Sequence, residues 1–479
     1  MSNDGYRSPL GTRYASPAMQ RLFGDAHRIA LWRRLWLALA ETERELGIAI
    51  PDDAITALRA HLDDADLGAA ATYERRFRHD VMAHIHHLGD QAPEARAYVH
   101  LGATSCFVTD NADCMIQRDA LRLVLGRLVA VMNLLGAFAR RHAALPCLAY
   151  THFQPAQLTT VGKRATLWLN EFAMDAQETA HRLATLRARG CKGTTGTQAS
   201  FLELFGGDDV KVRELDAQVT RRMGFDSSFP VTGQTYSRKQ DAMVLDVLSG
   251  VAQSAAKMAN DLRLLQHEGE LLEPFERDQI GSSAMAYKRN PMRAERIGAL
   301  ARFVLSLQAN GGHTAAAQWL ERTLDDSANR RLSIPEAFLA VDAILILVTN
   351  IVAGLEVREP VIQRHVDEQM PFMATERWLM LGVEAGGDRQ ALHEVIRKHS
   401  LAVAEAVARG ESNDLLSRLA DDAAFARVPS DRLRAELDPS RYTGRSAAQV
   451  REFLDDFMQP LLDRVGPLAA AAETGEVRV

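Results

Sequence analysis

Between Asn111 and Val357 the chain places apolar residues at helical spacing over stretches far longer than an ordinary helix needs. Leu121, Leu125, Leu128, Met132 and Leu135 follow one another in alternating steps of four and three, and Val244, Val247, Val251, Ala255, Met258, Leu262 and Leu265 do much the same. Such steps keep these side chains on one face of an α-helix. Aromatic residues make up only 6% of the chain, which argues against sandwiches and barrels, whose strands favour aromatic and β-branched residues. The expectation is an all-α fold around a central elongated helical bundle. Helices this long carry more apolar surface than one bundle hides, so association of several copies is expected too.

The flanks differ from this centre. Residues 1–104 read as a mixed helical domain, with helices at Ala18–Gly47 and Asp52–Ala60. Residues 105–357 form the long-helix domain, and after Pro360 the pattern shortens into a third domain, 358–479, with a frayed Ala-rich end beyond Pro467. A net charge of −6 gives no support to binding nucleic acid or a membrane by bulk charge. The most apolar run, Ala343 to Val348, is too short to span a bilayer. The opening MSNDGYRSPLGTRYASP lacks the apolar core of a signal peptide. Cys106, Cys114, Cys147 and Cys191 lie apart in no paired pattern, which suits a reduced, cytoplasmic setting.

Several segments break the helical pattern. Gly281-Ser282-Ser283-Ala284-Met285 has no alternation and reads as a mobile loop. It runs through Lys288 and Arg289 to Asn290-Pro291, a boundary with Asn290 as expected N-cap and a helix over Met292–Gln308. Two cations beside free helix amides favour an anion such as a carboxylate. His152 lies in a turn bounded by Pro155, Gly190–Gln198 is Gly/Thr-rich, and Val231–Tyr236 offers the amide of Gln234. Thr104 or Ser105 suits an N-cap, and the same hydroxyls can hold a carboxylate. Asp80, His84 and His87 share a helix face, yet no closed ligand geometry is evident and no metal is expected. His84, His86 and His87 are expected at solvent or an interface. Glu321 to Arg331 packs three arginines around a serine, with Ser333 and Pro335 expected to start the next helix. Bidentate arginine forks and a hydroxyl suit a phosphate.

The string GSSAMAYKRNP closely resembles the GSSxMPxKxNP signature of the fumarase/aspartase superfamily, with Ala286 in place of its proline. That departure removes no reactive group. YKRNPMRAER and ERTLDDSANRR look most like the adenylosuccinate lyase family within it, THFQPAQ resembles its THxQPAQ motif, and HLGATS its first shared region. Asp388 to Glu394 resembles a C-terminal element to which no chemistry is assigned. The resemblance covers nearly the whole chain. It implies a three-domain fold whose central bundles form a homotetramer core, with each active site assembled from three chains. It implies fumarate release from two nucleotide substrates, adenylosuccinate and the succinylated aminoimidazole carboxamide ribotide.

The resemblance also distributes roles. Ser282 takes a proton from the carbon next to a carboxylate, with Ser283 as the alternative. His152 protonates the leaving group. His79 orients substrate or assists the proton donor, and Arg78, His79 and Asp80 contact substrate. Arg13 and Tyr14 contact the nucleotide. A serine is a very weak base, so its alkoxide needs a cationic setting, which Lys288 and the helix N-terminus at Pro291 can supply. Lys288, Thr104, Ser105 and Gln234 are expected to hold the succinyl carboxylates, and Glu295 to pair with Lys288 or His152. Arg296, Arg322, Ser327 and Arg331, with Arg13 and Tyr14, are expected to take the nucleotide and its phosphate. No cofactor is required. Two other readings stand beside this one: argininosuccinate lyase or another fumarate-releasing relative, and a non-catalytic structural protein on the same fold.

Overall fold

The computed structural model describes residues 5–471; the last part of the expected frayed end lies outside the described residues. A π-helical turn, Leu10–Tyr14, leads to α1 (Pro17–Leu22), α2 (Asp25–Glu45), α3 (Asp52–Ala60), α4 (Leu67–Phe77) and α5 (Asp80–Gln91). The helix expected over Ala18–Gly47 is therefore two, because Gly24 takes an extended backbone and α2 restarts at Asp25. α5 carries the histidines, and solvent does not receive them as expected. His84 and His87 are buried. His84 stands edge-on to Trp32, with ring centres 5.6 Å apart. His87 Nε2 accepts from the Asp66 amide at 3.0 Å. His86 packs on Phe77 at 4.7 Å. Burial, with Arg33 nearby, pushes His84 down to about 4.

The long helices follow. α6 (Ser105–Arg141) leads into an antiparallel hairpin, β1 (Pro146–Thr151) and β2 (Gln154–Thr160), which turns the chain into α7 (Val161–Thr185). Thr160 caps α7, its hydroxyl accepting from the Lys163 amide at 3.1 Å. Two short helices, α8 (Ala199–Leu204) and α9 (Asp209–Arg222), precede α10 (Lys239–His267), the two-residue strand β3 (Leu271–Leu272), α11 (Met292–Ala317) and α12 (Asp326–Ala353). Strand β4 (Glu356–Val357) pairs with β3. Both apolar stripes named above are buried, as are Ile297, Leu300 and Val304 of α11. α6 and α12 are each long and apolar enough to cross a membrane, but most of each apolar window is buried in the bundle.

Two helix starts differ from expectation. Pro335 lies inside α12, which begins at Asp326. A proline within a helix removes one backbone hydrogen bond, and the turns before it are held by ion pairs of Asp326 and Arg330. Pro291, not Asn290, stands at the N-cap of α11. Asn290 instead donates to the Gly281 carbonyl at 2.8 Å.

The chain ends in smaller helices: α13 (Glu359–Met373), α14 (Thr375–Glu384), α15 (Arg389–Ala408), α16 (Leu415–Ala420), α17 (Ser430–Ala435), α18 (Ser446–Glu452) and α19 (Gln459–Val465). Trp378, Leu392, Val403, Phe425 and Leu433 build a second core there, whereas Val450, Leu461 and Val465 return to the bundle.

Helix directions fix what is far from what. Asn329 bonds Asn310 at 2.7 Å, joining the start of α12 to the end of α11. Arg289 pairs with Glu356 at 3.2 Å at the opposite end. α11 spans 26 residues, or ~39 Å.

Candidate active site

At one end of the bundle a cavity of about 710 Å³ is lined by Arg78, His79, Asp80, Ser105, Arg322, Ser327 and Arg331, among others. These come from three stretches of the sequence, 78–80, 105 and 322–331. Arg78 ends α4 in a left-handed conformation, φ 54°. His79 caps α5, its Nδ1 accepting from the Met82 amide at 3.3 Å. Asp80 meets Arg331 at 3.4 Å. Thr104 and Ser105 open α6. Thr104 stands at the N-cap of α6 as expected but makes no side-chain capping bond; its hydroxyl accepts from Gln234 Nε2 at 3.5 Å, beside the cavity.

Glycines allow the loops of this wall to touch. A Cβ on Gly196 would lie 1.8 Å from the Thr232 carbonyl oxygen, and one on Gly233 would lie 2.5 Å from that of Glu321. The Gly/Thr-rich loop, the Gln234 loop and the Glu321–Arg331 segment thus pack backbone to backbone. Arg189 secures the first two, donating to the carbonyls of Gln234 at 2.7 Å and Gly193 at 2.6 Å.

Part of the cavity lining is a charge network, most of whose members no sequence motif singled out for it. Arg238 bonds both oxygens of Asp110 at 3.1 Å and Asp326 at 2.7 Å. The other oxygen of Asp326 takes Arg322 at 2.9 Å. Arg330 turns away from its neighbour Arg331 to meet Asp241 at 2.7 Å, Asp113 at 3.0 Å and the Tyr236 hydroxyl at 2.6 Å. Burial alone would raise the Asp241 carboxyl, but Arg330 and Arg238 outweigh it and hold it below its ordinary value. Arg322 and Asp326 are only four residues apart; nothing local signals the other pairs, whose members lie tens to hundreds of residues apart.

The other expected residues sit elsewhere. The Arg296 guanidinium lies over the Tyr14 ring at 5.7 Å, with Nη1 buried and unbonded. Ser282 is half-buried, and its hydroxyl accepts from the amides of Ala284 at 3.3 Å and Met285 at 3.1 Å. Ser283, Lys288, Glu295 and Arg13 are exposed. Among the described residues, neither Lys288 nor Glu295 makes an ion pair, so Glu295 does not join Lys288 or His152 within this chain. The α11 N-terminus is not free for an anion either. Glu273 fills it, accepting from the amides of Arg293 at 3.0 Å and Ala294 at 3.1 Å. His152 is exposed at the tip of the β1–β2 hairpin. Both the hairpin and the Ser282 loop lie at the bundle end away from the cavity: Tyr150 bonds Glu270 just after α10, and Arg289 bonds Glu356 just after α12. Among the described residues no group of three or more His, Cys, Asp or Glu side chains is placed to hold a metal.

A family profile described as Lyase matches residues 35–305, and one described as Adenylosuccinate lyase C-terminus matches residues 371–453. The chain is 50% identical to an adenylosuccinate lyase of Saccharomyces cerevisiae over 455 residues, 94% of each chain. The chain belongs to the adenylosuccinate lyase family. It is 45% identical to another member of that family, from Schistosoma mansoni, over 95% of this chain and 96% of the other. Among solved structures, a 3-carboxy-cis,cis-muconate lactonizing enzyme from Pseudomonas putida superposes with a TM-score of 0.80 at 25% identity, covering 96% of this chain and 99% of the other. A fumarate lyase from Mesorhizobium sp. BNC1, at 24% identity and a TM-score of 0.78 over 92% of this chain and 98% of the other, shares the fold.

Proposed function

We propose that this protein is a carbon–nitrogen lyase that releases fumarate from adenylosuccinate, leaving AMP, and from succinylaminoimidazole carboxamide ribotide, leaving the free carboxamide, in purine nucleotide biosynthesis. The observation that carries the substrate class is the gathering of Arg322, Ser327 and Arg331 on one cavity with Arg78, His79, Asp80 and Ser105. Forked cations and a hydroxyl suit a nucleotide phosphate, and argininosuccinate carries none.

In the proposed reaction Ser282, as alkoxide, removes a proton from the carbon next to a succinyl carboxylate. The electron pair moves into that carboxylate. It returns to form the fumarate double bond as the C–N bond breaks, and His152 gives its proton to the departing nitrogen. Two backbone N–H groups on the Ser282 oxygen favour its charged form. Of the two adjacent cations on that loop Arg289 is paired with Glu356, so Lys288, with Glu273 on the α11 amides, bears this task without the helix terminus. Thr104, Ser105 and Gln234 hold carboxylate, His79 orients substrate, and Tyr14, Arg13 and Arg296 complete the nucleotide contacts.

One chain does not bring these groups together, because α11 separates the Ser282 loop from the arginine cavity. We therefore propose a cytoplasmic homotetramer in which neighbouring subunits complete each site. The test is fumarate release, followed by ultraviolet absorbance, on adenylosuccinate and argininosuccinate side by side. Turnover of adenylosuccinate alone is expected; turnover of argininosuccinate alone would overturn the substrate assignment. Arg322→Ala should raise KM strongly for the nucleotide yet add little to the already poor use of its dephosphorylated form. Equal losses on both would show that Arg322 acts elsewhere.

A further inference from the structure

His152 and Phe153, the two residues joining β1 to β2, both have left-handed backbone, with φ of 54° and 57°. Two-residue hairpin turns with two left-handed positions match strand twist, but Asn-Gly is their favoured occupant. For other residues that conformation costs roughly 1–2 kcal/mol each. It persists where the surroundings over-determine it.

The surroundings lie directly below. The Phe153 ring packs on Tyr150, centre to centre 5.7 Å. The Tyr150 hydroxyl donates to Glu270 at 3.4 Å. The Glu270 side chain is only 1% exposed and also meets His365 Nδ1, from α13, at 2.9 Å. Arg164, in the first turn of α7, stands 3.7 Å from the other Glu270 oxygen. Its guanidinium lies 5.9 Å from the Tyr150 ring centre and donates to the Leu148 carbonyl in β1. The strand register slips between Leu148 and Tyr150, where these contacts converge. Burial, then Glu270, push the Tyr150 phenol up, so it stays a donor.

We propose that Glu270 and Tyr150 are positioning residues for His152: they clamp the strained hairpin to α7 and α13 and so aim the imidazole at the leaving nitrogen, without touching substrate. That role depends on His152 being the acid, as proposed above. Tyr150→Phe removes one hydroxyl and keeps the ring contact; Glu270→Gln keeps the shape and loses the charge. Each should lower kcat on the nucleotide about tenfold with KM within about twofold. The loss should be smaller on an analogue whose leaving group needs no proton. In a His152→Ala background neither change should lower turnover further. Full additivity with His152→Ala, or a raised KM at unchanged kcat, would overturn the positioning role while leaving His152 as the acid. Loss of folded protein in both variants, seen by circular dichroism, would overturn it in favour of plain structural support. Near-normal turnover of His152→Ala itself would remove the acid, and the positioning role with it.

Discussion

Ser282 and Ser283 are adjacent hydroxyls with different surroundings. Ser282 receives two amide N–H groups, while Ser283 is exposed and its side chain makes no hydrogen bond among the described residues. Ser282→Ala should therefore abolish turnover while substrate binding and the melting temperature change little. Near-normal turnover in that variant, with Ser283→Ala inactive, would move the base by one residue. Glu43 presents the opposite case, a carboxyl far from the reaction. It is fully buried, neither oxygen has a partner, and burial pushes it up to about 9. Its raised value in the folded state means stability is greatest below the unfolded value of 4.5 and falls as pH rises toward 9. At pH 7 the cost is on the order of 3 kcal/mol. Glu43→Gln should raise the melting temperature at pH 8, change it little at pH 4.5, and flatten the profile between. An unchanged slope would show that Glu43 is not the proton carrier. The sequence did not expose this residue, nor the burial of His84 and His87, because each depends on what distant segments lay over it.

At the scale of elements, legibility followed periodicity. The α6, α10 and α11 stripes were readable because one face repeats every three or four residues, and Asp52–Ala60 was found with its observed bounds. Pro335 misled because a proline that usually opens a helix here sits within one. Asn290 misled because the group that caps α11 comes from Glu273, earlier in the chain and outside any local capping pattern. The site motifs were legible as strings; Arg238 and Asp110 carried no string at all, and nothing in the ERTLDDSANRR string marked Asp326 as their partner. The glycine contacts between loops are a further hidden layer. Gly196 has φ +86°, and an added Cβ would lie 1.8 Å from a carbonyl oxygen. Gly196→Ala should destabilise the protein by about 3 kcal/mol in urea unfolding and raise KM by spreading the Gln234 loop. An unchanged urea midpoint would show that the loops part without cost.

At the scale of the whole molecule, the Ser282 loop and the His152 hairpin share one end of the bundle, while His79 and the arginine cavity take the other. A mixture of inactive His79→Ala and Ser282→Ala chains, unfolded and refolded together, should regain part of the parent activity, because some hybrid sites would receive both intact residues from different subunits. Sedimentation of the parent should give a mass of about four chains. Hybrids that form, as shown by tagging each variant, yet stay at single-variant activity would mean that His79 and Ser282 reach each site from the same chain.

The 26 residues of α11 then act as a measuring rod. Beyond Glu295 and Arg296 near their start they hold no group assigned to the site, and apart from Gly311, which packs against Ala242, and Arg293, apolar side chains of suitable volume can fill their buried face. Their number is another matter. One inserted heptad restores the same face to the core but lengthens the rod by ~10 Å, so the Ser282 loop would overshoot the neighbour's cavity even if every helix still packed. A middle section free to change its letters is thus bound to keep its count.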